Sequence, residues 1–182
     1  MKYFFTSDYH LGHANIIKYC RRPFENVDEM NTTIINNHNA RVSKEDLVFF
    51  LGDFCFKNSP GGKQGEGMIH KSSHYVDKLN GKLIFIKGNH DRNNSVKTII
   101  EKCVINYGGR RVNLVHNPEH ADVKYELNFV GHVHQNWECK RIKLGMDFTD
   151  MINVGVDVWN FKPVTFDELM KRYKRWAKEN TL

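Results

Sequence analysis

Five short apolar runs, each leading into aspartate, asparagine or histidine, constrain this chain more than any other feature. "KYFF" (Lys2 to Phe5) leads to Asp8-Tyr9-His10, "LVFFLG" (Leu47 to Gly52) to Asp53, and "LIFIKG" (Leu83 to Gly88) to Asn89-His90-Asp91. "RVNLVH" (Arg111 to His116) ends on a histidine, and "LNFVGH" (Leu127 to His132) continues to His134. Runs of this length, bounded by turn residues, predict buried strands; "MINVGVDV" (Met151 to Val158) predicts another. Helical spacing falls at 12–19, at 27–41 through Met30, Ile34, Ile35 and His38, and at about 67–79, 94–102 and 166–178. Thr165 precedes Glu168 by three residues, the spacing of a capping box. Strands alternate with helices early and crowd together late, which predicts an α/β protein with a mixed sheet or two packed sheets and helices outside. The stretch "KNSPGGKQGEG" (Lys57 to Gly67) reads as a mobile loop.

With 182 residues and 40% hydrophobic content, the chain suits a single domain spanning residues 1–182. It has neither a basic, apolar leader nor a run long enough to span a membrane, so we expect a soluble, unsecreted, cytoplasmic protein with no membrane partner. No obligate protein partner is evident in the sequence. Cys20, Cys55, Cys103 and Cys139 are scattered without a C-x-x-C pair, which indicates neither a thiolate zinc site nor a disulfide framework. The net charge of +6 leans the surface toward anionic partners.

In open α/β sheets the carboxyl ends of strands are where ligands bind. The spacing of two in Asp8/His10 and His132/His134 turns each pair to one side if the backbone stays extended. Gly52, Gly88 and Gly131 allow sharp turns at those points. Histidines and aspartates crowded together without a counter-ion are costly, and cations remove the cost. Mixed imidazole and carboxylate ligation suits Mn, Fe, Zn or Ni. The ligand supply exceeds one four-coordinate ion, which points to two metals bridged by a carboxylate, about 3.5 to 4 Å apart.

The ordered set D-x-H (Asp8, His10), G-D (Gly52-Asp53), G-N-H-D (Gly88 to Asp91), His116 and G-H-x-H (Gly131, His132, His134) resembles the calcineurin-like metallophosphoesterases over nearly the whole chain. The flanks "TSDYHLGHANIIKYCRRPF" and "NVGVDVWNFKPVTFDEL" are similar to the small, uncapped branch of bacteria and phages. The resemblance implies an αββα sandwich of two packed mixed β-sheets flanked by helices, with a dimetal site on loops at the strand ends. It implies Asp8, His10 and His134 on the first metal, Asn89, His116 and His132 on the second, and Asp53 bridging. The cofactors would be two divalent transition-metal ions, manganese foremost, with iron, zinc or nickel as alternatives. A hydroxide held between them would attack phosphorus in line. His90 would protonate the leaving oxygen or steady the transition state, with Asp91 as its orienting partner. Phe54-Cys55-Phe56 after Asp53, and Asp91 after His90, depart from the protein Ser/Thr phosphatase pattern. His116 is followed by Asn117-Pro118 where many relatives have glycine.

Two dications, less the charges of Asp8, Asp53 and one hydroxide, leave a positive site suited to a phosphodiester monoanion. The expected activity is therefore a metal-dependent phosphodiesterase acting on nucleotide or nucleic-acid esters. A phosphomonoesterase and a non-catalytic protein-binding scaffold of the same fold are the alternatives. His13 is a candidate either for contact with substrate phosphate or for support of the metal ligands. Arg22 and Arg92 are candidates to clamp phosphate oxygens, for which the planar guanidinium is suited. His38, His70, His74 and His120 match no motif and read as surface or partly buried residues. Trp159 and Phe161 read as core, with base stacking as the alternative.

Overall fold

The computed structural model describes residues 1–56, 70–91 and 95–180. Its first sheet has four strands in the order β3 (Lys82–Ile86), β2 (Leu47–Leu51), β1 (Tyr3–Thr6), β9 (Val164–Thr165). Strands β1, β2 and β3 are parallel, and β9 runs antiparallel beside β1. Five strands form the second sheet, in the order β4 (Lys102–Tyr107), β5 (Arg110–Val115), β6 (Leu127–Val130), β8 (Asp147–Asn153), β7 (Cys139–Leu144). Here β5, β6 and β8 are parallel, while β4 and β7 pair antiparallel at the edges. Both sheets are thus mixed, and α-helices flank them.

The first three strands are continuous apolar runs because both faces of their sheet are covered. Phe5, Phe49, Leu51 and Ile86 face the second sheet and meet Val112, Leu114, Leu127 and Phe129. Phe5 stacks on Phe49 at 5.5 Å and meets Phe129 edge-on at 5.1 Å, joining the two sheets. On the opposite face Phe50 packs under α1 (Ala14–Tyr19), α2 (Val27–Asn39) and α3 (Ser72–Val76) through Ile16, Met30, Ile34 and Tyr75. Helix α2 starts where Asn26 accepts from the Glu29 backbone N–H at 2.9 Å. Helix α4 (Phe166–Glu179) begins with the expected capping box of Thr165 and Glu168 and sets Phe166, Leu169 and Met170 into the inter-sheet core. On the outer face of the second sheet, Val115, Val130 and Met151 lie under Ala121, Trp137 and Ile142.

Several elements differ from the sequence expectation. The described residues of the expected 94–102 helix are not helical: Ile100 accepts from Lys87 N–H at 2.8 Å, Thr98 Oγ1 donates to the Phe85 carbonyl at 2.7 Å, and β4 starts at Lys102. Its β-branched residues are tied to the end of β3, so tertiary contacts override an apparent helical period. Strands β4 and β7, to which no apolar run pointed, belong to tight hairpins turned at Gly108-Gly109 and Gly145-Met146, with positive φ at each glycine. The run at 151–158 divides into the end of β8 and a 3₁₀ turn at Val156–Val158. The expected helix at 67–79 is reduced to α3 over its described part, and the expected 57–67 loop lies outside the described residues. All four cysteines are unpaired. No described helix is long and apolar enough to cross a membrane.

Candidate metal centre

The segments that follow β1, β2 and β6 meet at one edge of the sandwich. After β1 the chain runs beside the chain after β2: Asp8 N–H donates to the Gly52 carbonyl at 3.1 Å and His10 N–H to the Asp53 carbonyl at 3.0 Å. The Asp8 carboxylate accepts from the His132 backbone N–H at 2.9 Å, which brings in the segment after β6. Gly131 permits this approach, since a side chain there would begin 2.7 Å from Asp8 Oδ2.

The backbone does not stay extended here, so the condition under which the two-residue spacing turns each pair to one side is not met. Asp8, His10, Asp53, His132 and His134 all have positive φ, between 48° and 71°. Left-handed backbone is uncommon outside glycine and costs free energy, so surrounding contacts must hold it. Five expected ligands therefore point inward through local strain rather than through strand alternation.

Two groups of donors result. Asp8, His10 and His134 bring ligand atoms within 4.8 Å of one another, as do Asp53, His116 and His132. Asp53 Oδ2 lies 3.5 Å from His10 Nε2 and 3.4 Å from His116 Nε2, between the groups. Asn89 Oδ1 lies 2.9 Å from both His116 Nε2 and His132 Nδ1. His116 donates its Nδ1–H to the Leu51 carbonyl at 2.7 Å, which turns Nε2 toward Asp53 and Asn89. His10 Nε2 is buried without a hydrogen-bond partner, although it faces Asp8 Oδ1 at 4.0 Å and Asp53 Oδ2 at 3.5 Å. An orphaned buried imidazole nitrogen between two carboxylates is the environment a divalent cation satisfies. The donor set thus fits metal ions, with mixed nitrogen and oxygen ligands.

Electrostatics point the same way. Burial outweighs the nearby Asp53 carboxylate and holds His10 well below its ordinary value, in the neutral form that binds metal. Burial would lower His116 and His134, yet they are pushed up to about 9 and about 10 by their carboxylate neighbours, chiefly Asp53 for His116 and Asp157 for His134. Burial likewise raises Asp8, while Asp53 is held below the usual carboxylate range because His116 and His10 outweigh its desolvation. The cluster draws positive charge.

The remaining expected site residues fall differently. His90 is exposed, with its ring 5.3 Å from that of His10 and its backbone N–H on Asp53 Oδ1 at 2.9 Å. Asp91 does not orient it. Its carboxylate accepts from the backbone N–H groups of Asp53, Gly88 and Phe54 and from Ser95 Oγ, and no contact with the His90 ring occurs among the described residues. Asp91 clamps the loops that carry Asp53 and Asn89. His13 stacks on Phe56 at 4.3 Å, and its Nδ1 lies 3.3 Å from His10 Nδ1. Burial pushes His13 down to about 4, so a neutral His13 can accept from His10 and fix that ring. Arg22 is buried and turned inward: Nε and Nη2 hold Asp157 at 2.8 and 2.9 Å, while Nη2 and Nη1 donate to the Asp8 and Tyr9 carbonyls. Its donors are engaged within the protein instead of facing a phosphate. Arg92 lies outside the described residues. Trp159 and Phe161 are packing residues: the Trp159 indole N–H donates to the Asn153 carbonyl at 2.8 Å, and Phe161 meets Phe24 at 4.8 Å.

Asp157 was not predicted. Its Oδ2 accepts from His134 Nδ1 at 2.9 Å, and Cys20 joins the same pair within 4.8 Å. Only its place in "NVGVDVWN", a stretch already noted for its resemblance, could have marked it.

Fold and site together define a two-sheet α/β sandwich with two adjoining sets of metal-type donors at one edge. No protein-family model matches the chain. It is 40% identical over 175 residues to an uncharacterized protein, MJ1445, of Methanocaldococcus jannaschii, covering 93% of this chain and 90% of that protein, and it belongs to the same family. The structure of a protein of unknown function from Aquifex aeolicus, AQ665, superposes with a TM-score of 0.67 at 22% identity, covering 93% of this chain and 97% of that one, so the two share a fold. A novel archaeal phosphodiesterase aligns over 85% of this chain and 84% of its own at 20% identity, with a TM-score of 0.41, a likeness too remote to bear on activity.

Proposed function

We propose that this protein is a calcineurin-like, metal-dependent phosphoesterase that hydrolyses phosphodiesters of the nucleotide or nucleic-acid type. The observation that carries this reading is the placement of Asp53 Oδ2 between two donor groups, 3.5 Å from His10 Nε2 and 3.4 Å from His116 Nε2. Divalent cations at such groups would supply Lewis-acid polarisation of phosphoryl oxygens and a water nucleophile at neutral pH. Asp8, His10 and His134 would hold one ion, Asn89, His116 and His132 the other, and Asp53 both.

The protein's own groups complete the chemistry. Asp8, His10, Asp53 and His116 form a buried floor, whereas Asn89, His90 and His132 are exposed at the rim, so a large ester can reach the donors. His90 stands over the first group, placed to give a proton to a departing alkoxide. Because Arg22 is engaged internally, it adds no positive charge for a monoester dianion, which favours a diester monoanion. A comparison of kcat/KM for bis-p-nitrophenyl phosphate and p-nitrophenyl phosphate with Mn-loaded protein tests this. Preference for the diester is expected. Preference for the monoester would make the protein a phosphatase, and activity on neither would favour a binding scaffold.

A further inference from the structure

Beyond His132 the surface opens into a cleft of about 410 Å³. His132 and Asn117 form its border with the metal ligands, and Val133, Trp137, Ile142 and Met151 supply apolar walls. Trp137 and Ile142 pack onto buried Val115, Val130 and Met151, and the Trp137 carbonyl accepts from Asn153 Nδ2 at 2.9 Å. The carbonyl bond fixes the Trp137 backbone and the packing holds the indole against the sheet, yet the residue remains half-exposed where it lines the cleft. Lys140 and Glu119 also line it, one charge of each sign. A second cleft of about 290 Å³ borders His116 and Asn89 and includes Lys87, Glu101, Asn117 and His120. The same ligand group thus adjoins one cleft with an aromatic and aliphatic wall and a second cleft without one.

A diester carries two arms on phosphorus, and unlike clefts suit unlike arms. We infer that the Trp137 cleft receives the planar base of a nucleotidyl arm, so that the substrate is a nucleotidyl diester; this rests on the phosphodiesterase reading. A pre-fixed aromatic wall stacks on any base because every base has a π-face. A cleft of this size, with an aromatic wall and polar groups beside it, suits small organic groups. The opposed charges of Lys140 and Glu119 form no row of cations to follow a phosphate backbone, which points to a single nucleotide rather than a long strand.

The test is calorimetric titration of Mn-loaded protein with adenosine 5′-monophosphate and with methyl phosphate, both of which carry the phosphate but only one the base. The nucleotide should bind about tenfold tighter, as one stacked base supplies. Trp137→Leu, which keeps apolar packing on the sheet, should erase that preference while leaving methyl phosphate affinity unchanged. Equal binding of the two ligands to the wild type, or a preference that survives in Trp137→Leu, overturns the inference. Equal binding with diester hydrolysis intact would leave the phosphodiesterase reading standing, whereas a retained, Trp137-dependent preference without hydrolysis of any diester would support the cleft and remove that reading.

Discussion

His134 Nδ1 lies 2.9 Å from Oδ2 of Asp157, and the same carboxylate is gripped through both oxygens by Arg22. Arg22 also donates to the carbonyls of Asp8 and Tyr9, so one buried guanidinium ties the first ligand segment to the last. A carboxylate behind a ligating histidine fixes its tautomer and ring orientation. Asp157→Asn should therefore weaken metal binding at the group of Asp8, His10 and His134 by about 10- to 100-fold. Metal titration should show the other group unchanged; equal weakening of both, or of neither, would remove the positioning role.

Metal content checks the bridging place of Asp53. Protein reloaded with Mn should approach about two ions per chain, as two adjoining donor groups require. Asp53→Asn should lower that number, because the residue faces both groups. Chelation should lower the melting temperature, since ions that bind only the folded state stabilise it.

His90 separates chemistry from metal binding. His90→Gln should leave metal content near normal while slowing turnover by about 10²- to 10⁴-fold, as for a lost general acid. The loss should shrink with a p-nitrophenolate leaving group, which needs little protonation. Equal losses for good and poor leaving groups would assign the residue to positioning.

Asp91 should behave as a structural clamp. Asp91→Ala strips buried partners from the N–H groups of Asp53 and Gly88 and should destabilise the protein by on the order of 3 kcal/mol in urea unfolding. The dependence of residual activity on leaving group should match the wild type. A change in that dependence would restore Asp91 as a partner of His90.

His38 governs part of the acid response. It is buried in the last turn of α2, its Nε2 donating to the Asn80 carbonyl at 2.8 Å and its Nδ1 accepting from Tyr9 Oη at 2.8 Å. Burial pushes it down to about 4 from an ordinary 6.5. Between those values the unfolded chain binds more protons, so stability rises with pH there and is lost as pH falls from 6.5 toward 4. The contribution is on the order of 3 kcal/mol, and His38→Gln should flatten the decline in unfolding free energy over that window. An unchanged decline would show that His38 does not titrate on unfolding.

The sequence by itself determined the strands that carry the site. β1, β2 and β3 are legible because burial on both faces makes them apolar runs, and β5 and β6 are legible as shorter apolar stretches, each with one buried asparagine; the polar residues that follow are conspicuous against them. The capping box of α4 is likewise local, a pattern four residues long. The hairpin strands β4 and β7 were not, since they are largely exposed at the sheet edges and their pairing depends on a partner. The orientation of the ligands was decided by tertiary structure. Left-handed backbone at Asp8, His10, Asp53, His132 and His134 is held by contacts between strand ends, such as the Asp8 carboxylate on His132 N–H, which no spacing reveals. The roles of the charged neighbours were decided there too. Arg22 meets Asp157 across 135 positions in the chain, and Asp91 meets Asp53 across 38. A buried charge takes its partner from whichever segment folding brings within about 3 Å, and that distance is set by packing, not by sequence neighbours.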